Sequence, residues 1–203
     1  HLLTDIRDTD LTTDRIREAL QSGLETARNH FQQNTFSIPE FLLALDTFQA
    51  GVQCLESFSP GISTPENTPK ILIGVVQGDV HDLGKNMVAS VLSAAGYQVI
   101  DLGREVTKEM ILDEMNRHHP SIVALSSMMS TSLDNMKSII RQLKQNHAGI
   151  RFLVGGAALD PKIADVIGAD GFADSAVSAP DAVKTMLTQQ TSNPAESDHA
   201  EWR

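Results

Sequence analysis

Among 203 residues there is one cysteine, Cys54. An internal disulfide is impossible, and so is a metal or cluster site built from several thiolates. A single thiol fits a reducing cytoplasm, and a cytoplasmic protein is expected. No apolar run approaches the roughly 20 residues a membrane helix needs, so no membrane association is expected. No charged-then-apolar leader opens the sequence; it begins at His1, and that start says nothing about a native leader. Basic charge is scarce. Lys and Arg number 16 against 26 Asp and Glu, a formal net charge of −10, and the cations are scattered singly. Such a surface repels phosphate backbones, so no nucleic-acid partner is expected. No internal repeat is found. What is present is a hydrophobic fraction of 41%, enough for a packed core. The length suits one domain plus a small helical addition.

Composition divides the chain into a helical domain (1–57), a linker (58–69), an α/β domain (70–190) and a flexible tail (191–203). Ile16, Leu20, Leu24, Ala27 and Phe31 recur at spacings of a helical stripe. Ser37, followed by Ile38, Pro39 and Glu40, is a helix start, and Phe41, Leu42, Leu45, Phe48, Val52 and Leu55 continue an apolar stripe. The linker is rich in Ser, Pro, Thr and Gly and has no periodicity. Beyond it, apolar runs at 71–76, 97–102, 121–126 and 151–156 alternate with helical stretches near 85–95, 107–118, 132–146 and 160–168. This alternation predicts a doubly wound, Rossmann-like (flavodoxin-like) parallel sheet, with ligands at the carboxyl ends of its strands.

The first strand runs into Gln77-Gly-Asp79-Val-His81-Asp82-Leu-Gly84-Lys85. Asp79 and His81 are spaced so that a carboxylate can accept the proton of one imidazole nitrogen and leave the other as a free donor. Gly84 would let a planar ligand approach the backbone. Taken alone, such a histidine is more often an ordinary polar residue, and Asp79 could equally be the acidic corner of a receiver-like fold. His118, His119 and His147 sit at helix ends, where solvated capping is the simpler reading. Cys54 lies on an apolar stripe and is expected to be buried and inert.

Asp79-x-His81-x-x-Gly84 resembles the D-x-H-x-x-G motif of cobalamin-binding domains. The stretch GDVHDLGKNMVASVLSAAGYQVIDLG is similar to methionine synthase and to the corrinoid proteins of methanol, methylamine and O-demethylase systems. Ser126-Ser127-Met128 resembles their S-x-L element, with Met128 for leucine, and Gly155-Gly156 their G-G element. LSSMMSTSLDNM is similar to methionine synthase without a gap. Phe31…Ile38-Pro39 resembles the F-x6-L-P element of the small helical cap that precedes the cobalamin domain, with Ile38 for leucine. The region before Phe31 is short for a full four-helix cap.

The resemblance implies cobalamin bound base-off and His-on, with its nucleotide arm buried in a slot of the sheet, and methylcobalamin as the charged state. His81 matches the lower axial ligand to cobalt, Asp79 its hydrogen-bonded partner and Ser132 the third member of that relay. Asp82 and Gly84 belong to the same motif. Ser126, Gly155 and Gly156 match positions lining the slot, where glycine leaves room for the buried base, and Met128 and Ser130 lie near it. Phe31 and Ile38 would shield the upper face; both equally suit a plain helix core.

The implied function is that of a methyl carrier, itself not a complete enzyme. It would be served by a substrate-specific methyltransferase, an acceptor methyltransferase acting on tetrahydrofolate or a thiol, and a reductive activator. The alternatives are a cobalamin-dependent sensor or photoreceptor, the small subunit of an adenosylcobalamin mutase, and a cofactor-free flavodoxin-like regulator. The helical region lacks the tryptophan usual in the sensors, and the mutase subunits lack the cap.

Overall fold

The structure is a computed structural model that describes residues 13–58, 68–147 and 149–191. Most of the linker and the tail beyond Thr191 lie outside the described residues.

Five parallel strands form one sheet in the order β2-β1-β3-β4-β5. They are β1 Lys70–Val75, β2 Gln98–Asp101, β3 Ile122–Ser126, β4 Arg151–Gly155 and β5 Gly171–Ala173. The inner strands β1, β3 and β4 are runs of apolar residues buried on both faces, as a sheet covered on both sides requires. The doubly wound expectation holds. The structure adds a fifth strand and a last helix, α7 Ala179–Thr191, to the four strand–helix pairs read from the sequence. A three-residue strand is too short to display a period.

One face of the sheet carries α4 Lys108–His118, α5 Leu133–Asn146 and α6 Pro161–Ile167, whose Ile111, Met115, Met136, Ile140 and Ile167 pack on Leu72, Val123, Phe152 and Val154. The other face carries α3 Leu83–Ala94 and α7, whose Leu92, Val183 and Met186 pack on Ile71, Ile73, Ile122 and Leu153. The chain turns toward β2 after α3 and toward β4 after α5, so the winding reverses between the adjacent strands β1 and β3. The carboxyl edge at such a reversal is where an open α/β sheet leaves a crevice.

Before the sheet, α1 Thr13–Gln32 and α2 Ile38–Phe58 form a hairpin. Ser37 donates both its backbone N–H and its hydroxyl to one Glu40 carboxylate oxygen, each at 2.7 Å. This is the back-reaching half of a capping box and fixes the start of α2. Phe41, fully buried, stacks on Phe31 at 4.9 Å between ring centroids. Leu24, Ala27, Phe41, Leu45 and Phe48 of the hairpin form one cluster with Val91 and Ala94 of α3 and with Val177. Polar ties reinforce the docking. Arg28 Nε donates to the Val177 carbonyl at 2.8 Å and its guanidinium pairs with Asp181, while Gln49 donates to Ser90 at 2.7 Å.

Cys54 is half-buried in α2, more accessible than its apolar stripe suggested. His118 pairs with Glu114 at 3.1 Å, and His119 closes α4 in the left-handed region, its N–H donating to Met115. His147 closes α5 in the same capping role, donating its N–H to Leu143. Among the described residues no helix is long and apolar enough to cross a membrane.

Candidate functional site

A cleft of about 390 Å³ opens at the carboxyl edge, on the face that carries α3 and α7. Strand register fixes its depth. Ile73, Ala124 and Leu153 lie side by side across β1, β3 and β4 and form the floor. Two residues nearer the strand ends, Ser126, Gly155 and Ala173 form the rim. Gly84, Lys85, Met87 and Val88 of α3 make one wall and Asp174, Ser175 and Ala176 the opposite one. Apart from the buried Lys85, floor and inner wall are apolar; His81, Ser126 and Asp174 stand at the mouth. Ala124 has the smallest side chain of its row, and the cleft occupies the space it leaves.

His81 sits at the mouth with its side chain 57% exposed. It follows a tight turn in which the Asp79 N–H donates to the Val76 carbonyl. Asp79 is fully buried. Its Oδ1 lies 2.7 Å from His81 Nδ1 and accepts the His81 backbone N–H at 2.9 Å. Its Oδ2 accepts the N–H groups of Met128 and Met129, the latter at 3.1 Å. Burial pushes the Asp79 carboxyl up. The hydrogen bonds from the His81 amide, the Met128 amide, the His81 ring and the Met129 amide outweigh it and bring the group down to about 2. An ionised carboxylate can only accept, so Nδ1 carries the ring proton and Nε2 presents its lone pair outward.

This ionisation has a measurable consequence. A carboxyl depressed in the folded state contributes stability above its unfolded pKa, and that contribution is lost as the pH falls through the folded value. The window runs from about pH 4 down to about pH 2, and the contribution is on the order of 2 kcal/mol. In urea unfolding of the cofactor-free chain, the gap between the unaltered protein and Asp79→Asn is expected to narrow by about that amount between pH 6 and pH 2. A gap independent of pH would contradict the depressed carboxyl.

The structure gathers most of the residues singled out from the sequence. His81, Gly84, Ser126, Met128, Gly155 and Gly156 line the cleft, and Asp79 and Ser132 lie buried behind His81. Asp82 is the N-cap residue of α3 and pairs loosely with Arg104, at 3.6 Å. Ser130, itself exposed, opens a 3-10 turn and is not among the lining residues. Phe31 and Ile38 do not line the cleft either. Phe31 packs on the hairpin cluster, against which the wall residues Met87 and Ala176 also pack; Ile38, in the first turn of α2, is 56% exposed.

The two glycines have a local reason beside the one expected. A Cβ at Gly155 would stand 2.8 Å from the Ala173 carbonyl oxygen, and one at Gly156, where φ is +116°, would stand 2.1 Å from that of Ser127. The protein's own backbone excludes a side chain there. Gly84 is the opposite case: a Cβ would meet nothing within 4 Å, so this glycine keeps space open at the wall.

Several contributors escaped the sequence reading. The floor row of Ile73, Ala124 and Leu153 was legible in principle, as the alternate positions of three aligned strands. Lys85, 2% exposed, pairs with Asp101 and so ties the first turn of α3 to the end of β2. Ser127, fully buried beside Asp79, carried no signal beyond its place next to Ser126. Among the described residues no three His, Cys, Asp or Glu side chains converge on a metal-sized site, and His81 offers one outward-facing donor.

Comparison with known proteins agrees with this geometry. Residues 69–183 match the B12 binding domain family. The trimethylamine corrinoid protein 1 of Methanosarcina mazei is 34% identical over 177 residues, covering 85% of this chain and 81% of that protein. A cobalamin-binding protein from Desulfitobacterium hafniense superposes with a TM-score of 0.70 at 26% identity, over 86% of this chain and 82% of its own. One chain of the methanol:cobalamin methyltransferase complex of Methanosarcina barkeri superposes with a TM-score of 0.81 at 26% identity, over 92% of this chain and 72% of that chain. An outward-facing, carboxylate-held histidine at the mouth of an apolar slot, on a sheet of this order, with these relatives, leads to one conclusion: the chain is a corrinoid-binding member of the B12 binding domain family.

Proposed function

We propose that the chain is the methyl-carrying corrinoid subunit of a methyltransferase system. It would take a methyl group from a substrate-specific methyltransferase and yield it to a second transferase acting on tetrahydrofolate or a thiol, with a reductive activator in attendance. The observation that carries the reading is the His81 imidazole, anchored through Nδ1 by a buried carboxylate and open at Nε2.

The residues present fit a base-off, His-on cobalamin. A corrin brings four nitrogens of its own, so one protein donor at the lower face is enough. The apolar slot beside His81 matches a buried aromatic base, and the open space at Gly84 admits a planar ring at close range. When bound, cobalt supplies the nucleophile and the site to which the methyl group attaches. His81 Nε2 would be its lower ligand. Asp79 holds the ring's tautomer and orientation, since its carboxylate is itself fixed by backbone N–H groups on both oxygens. Ser126, Met128 and the glycines would border the nucleotide arm. Phe31 and Ile38 are assigned to shielding the upper face; the docking of the hairpin beside the cleft wall supports the role for Phe31. The names of the relatives favour a carrier over a sensor or a mutase subunit.

Selectivity for the methyl donor would reside in the partner. The test is to load the chain with cobalamin, reduce it, and add the methyltransferase that co-purifies with it. Methanol, methylamines, glycine betaine and methoxylated aromatics are then offered in turn. One donor class is expected to methylate the loaded chain. Failure of every donor with a loaded, reduced chain and its own partner would overturn the carrier reading.

A further inference from the structure

Behind Asp79 lie two buried hydroxyls rather than one. Ser127 is 0% and Ser132 is 1% exposed. Ser127 Oγ lies 3.3 Å from Asp79 Oδ2 and 2.6 Å from Ser132 Oγ. Ser132 makes no hydrogen bond to Asp79; besides Ser127, its hydroxyl reaches the Met129 carbonyl at 2.7 Å. Ser127 Oγ is 3.0 Å from that same carbonyl. We propose that Ser127 is a positioning residue interposed between Ser132 and Asp79, so that Ser132 bears on the His81 imidazole only through it. The proposal rests on the His-on reading given above.

Proton counting gives the pair three head-to-tail arrangements. Each hydroxyl has one proton to donate. In the first, Ser132 donates to Ser127 and Ser127 donates to Asp79 Oδ2. In the second, Ser127 donates to Ser132 and Ser132 donates to the Met129 carbonyl. In the third, Ser132 donates to Ser127 and Ser127 donates to the Met129 carbonyl. Passing between them rotates O–H bonds only, moves no heavy atom and transfers no proton. Both hydroxyls point the same way along the chain, so the two serines act as one unit.

Only the first arrangement reaches Asp79. It adds a fifth donor to a carboxylate that already accepts four: the His81 amide, the His81 ring and the amides of Met128 and Met129. Each donor draws charge off the carboxylate and weakens its pull on the Nδ1 proton. His81 Nε2 then becomes a poorer electron-pair donor. The serine pair therefore relaxes the histidine's grip when it points toward Asp79 and restores it when it points away. Without Ser132, no hydroxyl donates to Ser127, and the Ser127 proton turns to the nearer acceptor, the Met129 carbonyl at 3.0 Å rather than Asp79 Oδ2 at 3.3 Å. Removing either serine should thus leave Asp79 in the same condition.

The experiment uses the full chain loaded with cobalamin. It compares the unaltered protein, Ser127→Ala, Ser132→Ala and the double variant at one fixed pH. The readouts are the midpoint potential of the cobalt(II)/cobalt(I) couple and the nitrogen splitting of an axial imidazole in the cobalt(II) resonance spectrum. Removing Ser127 is expected to favour the ligated, more oxidised form about three- to tenfold, a lowering of the midpoint by about 30 to 60 mV. Ser132→Ala should give the same shift, and the double variant no more than either. Ser127→Gly, which also removes the hydroxyl, should reproduce Ser127→Ala and guards against a packing artefact or a misfolded variant. Shifts that add in the double variant, a rise in the midpoint, or no shift for Ser127→Ala would overturn the proposal. If the unaltered protein lacks the imidazole splitting, the His-on reading falls and the proposal with it; splitting present with the potentials unmoved sinks the proposal alone.

Discussion

Replacing Ala124 with leucine is expected to weaken cobalamin uptake markedly while leaving the cofactor-free chain folded. Ala124 lies in the middle of the floor row, between Ile73 and Leu153. Its small side chain opens the cleft between α3 and the segment 174–176. Leucine adds volume at a buried position that borders the cleft, so the empty protein should lose about 1–3 kcal/mol, the usual cost of a small-to-large change, and stay folded. A ligand whose aromatic base must occupy the same volume meets that side chain too. Overpacking of this kind costs about 1–3 kcal/mol, a loss of affinity of roughly five- to a hundred-and-fiftyfold. Titration of cobalamin into the cofactor-free variant, with thermal unfolding alongside, separates the two effects. Uptake equal to that of the unaltered chain would place the nucleotide arm somewhere other than this slot. Ala124 is a cleaner probe than Gly155, because a side chain at Gly155 strikes the Ala173 carbonyl of the protein itself.

His81→Ala is the second large effect. The variant should still take up cobalamin, since the apolar slot is intact, but the bound cofactor should show no imidazole nitrogen on cobalt. Retention is expected to fall on the order of tenfold or more, the loss of one directional bond while the buried area is kept. Asp79 would then have lost its ring partner but would keep three backbone donors, so the turn should remain folded. A cobalt spectrum identical to that of the unaltered protein would remove His81 from the lower face. Added imidazole offers a further check, because it should restore the nitrogen signal to the variant and leave the unaltered protein unchanged.

The carboxylate that orients His81 is the best-supported group in the site. Two of its ligands, the amides of Met128 and Met129, come from the loop after β3, about fifty residues further along the chain. The site is therefore an agreement between the ends of two adjacent strands. β1 delivers Asp79 and His81, and β3 delivers the donors that keep Asp79 ionised in a buried position. Neither strand end could hold a buried charge unaided.

The sequence by itself determined the winding of the sheet, the placement of the chemistry at the end of β1 and the pairing of Asp79 with His81. These are short-range facts. Hydrophobic period, cap residues and a two-residue spacing act over a few positions and are written locally. It also marked the hairpin, through the stripe ending at Phe31 and the Ser37–Glu40 start. Tertiary structure decided the rest: the short fifth strand and α7, the position of the hairpin on α3 and α7, the floor built from one residue of each of three strands, and the insertion of Ser127 between Ser132 and Asp79. Each of these depends on which atoms meet across tens of residues, and burial of a hydroxyl or an alanine is a property of that meeting, not of the residue. A serine beside a serine reads as nothing in one dimension; buried between a carboxylate and a second hydroxyl, its single proton has somewhere definite to point.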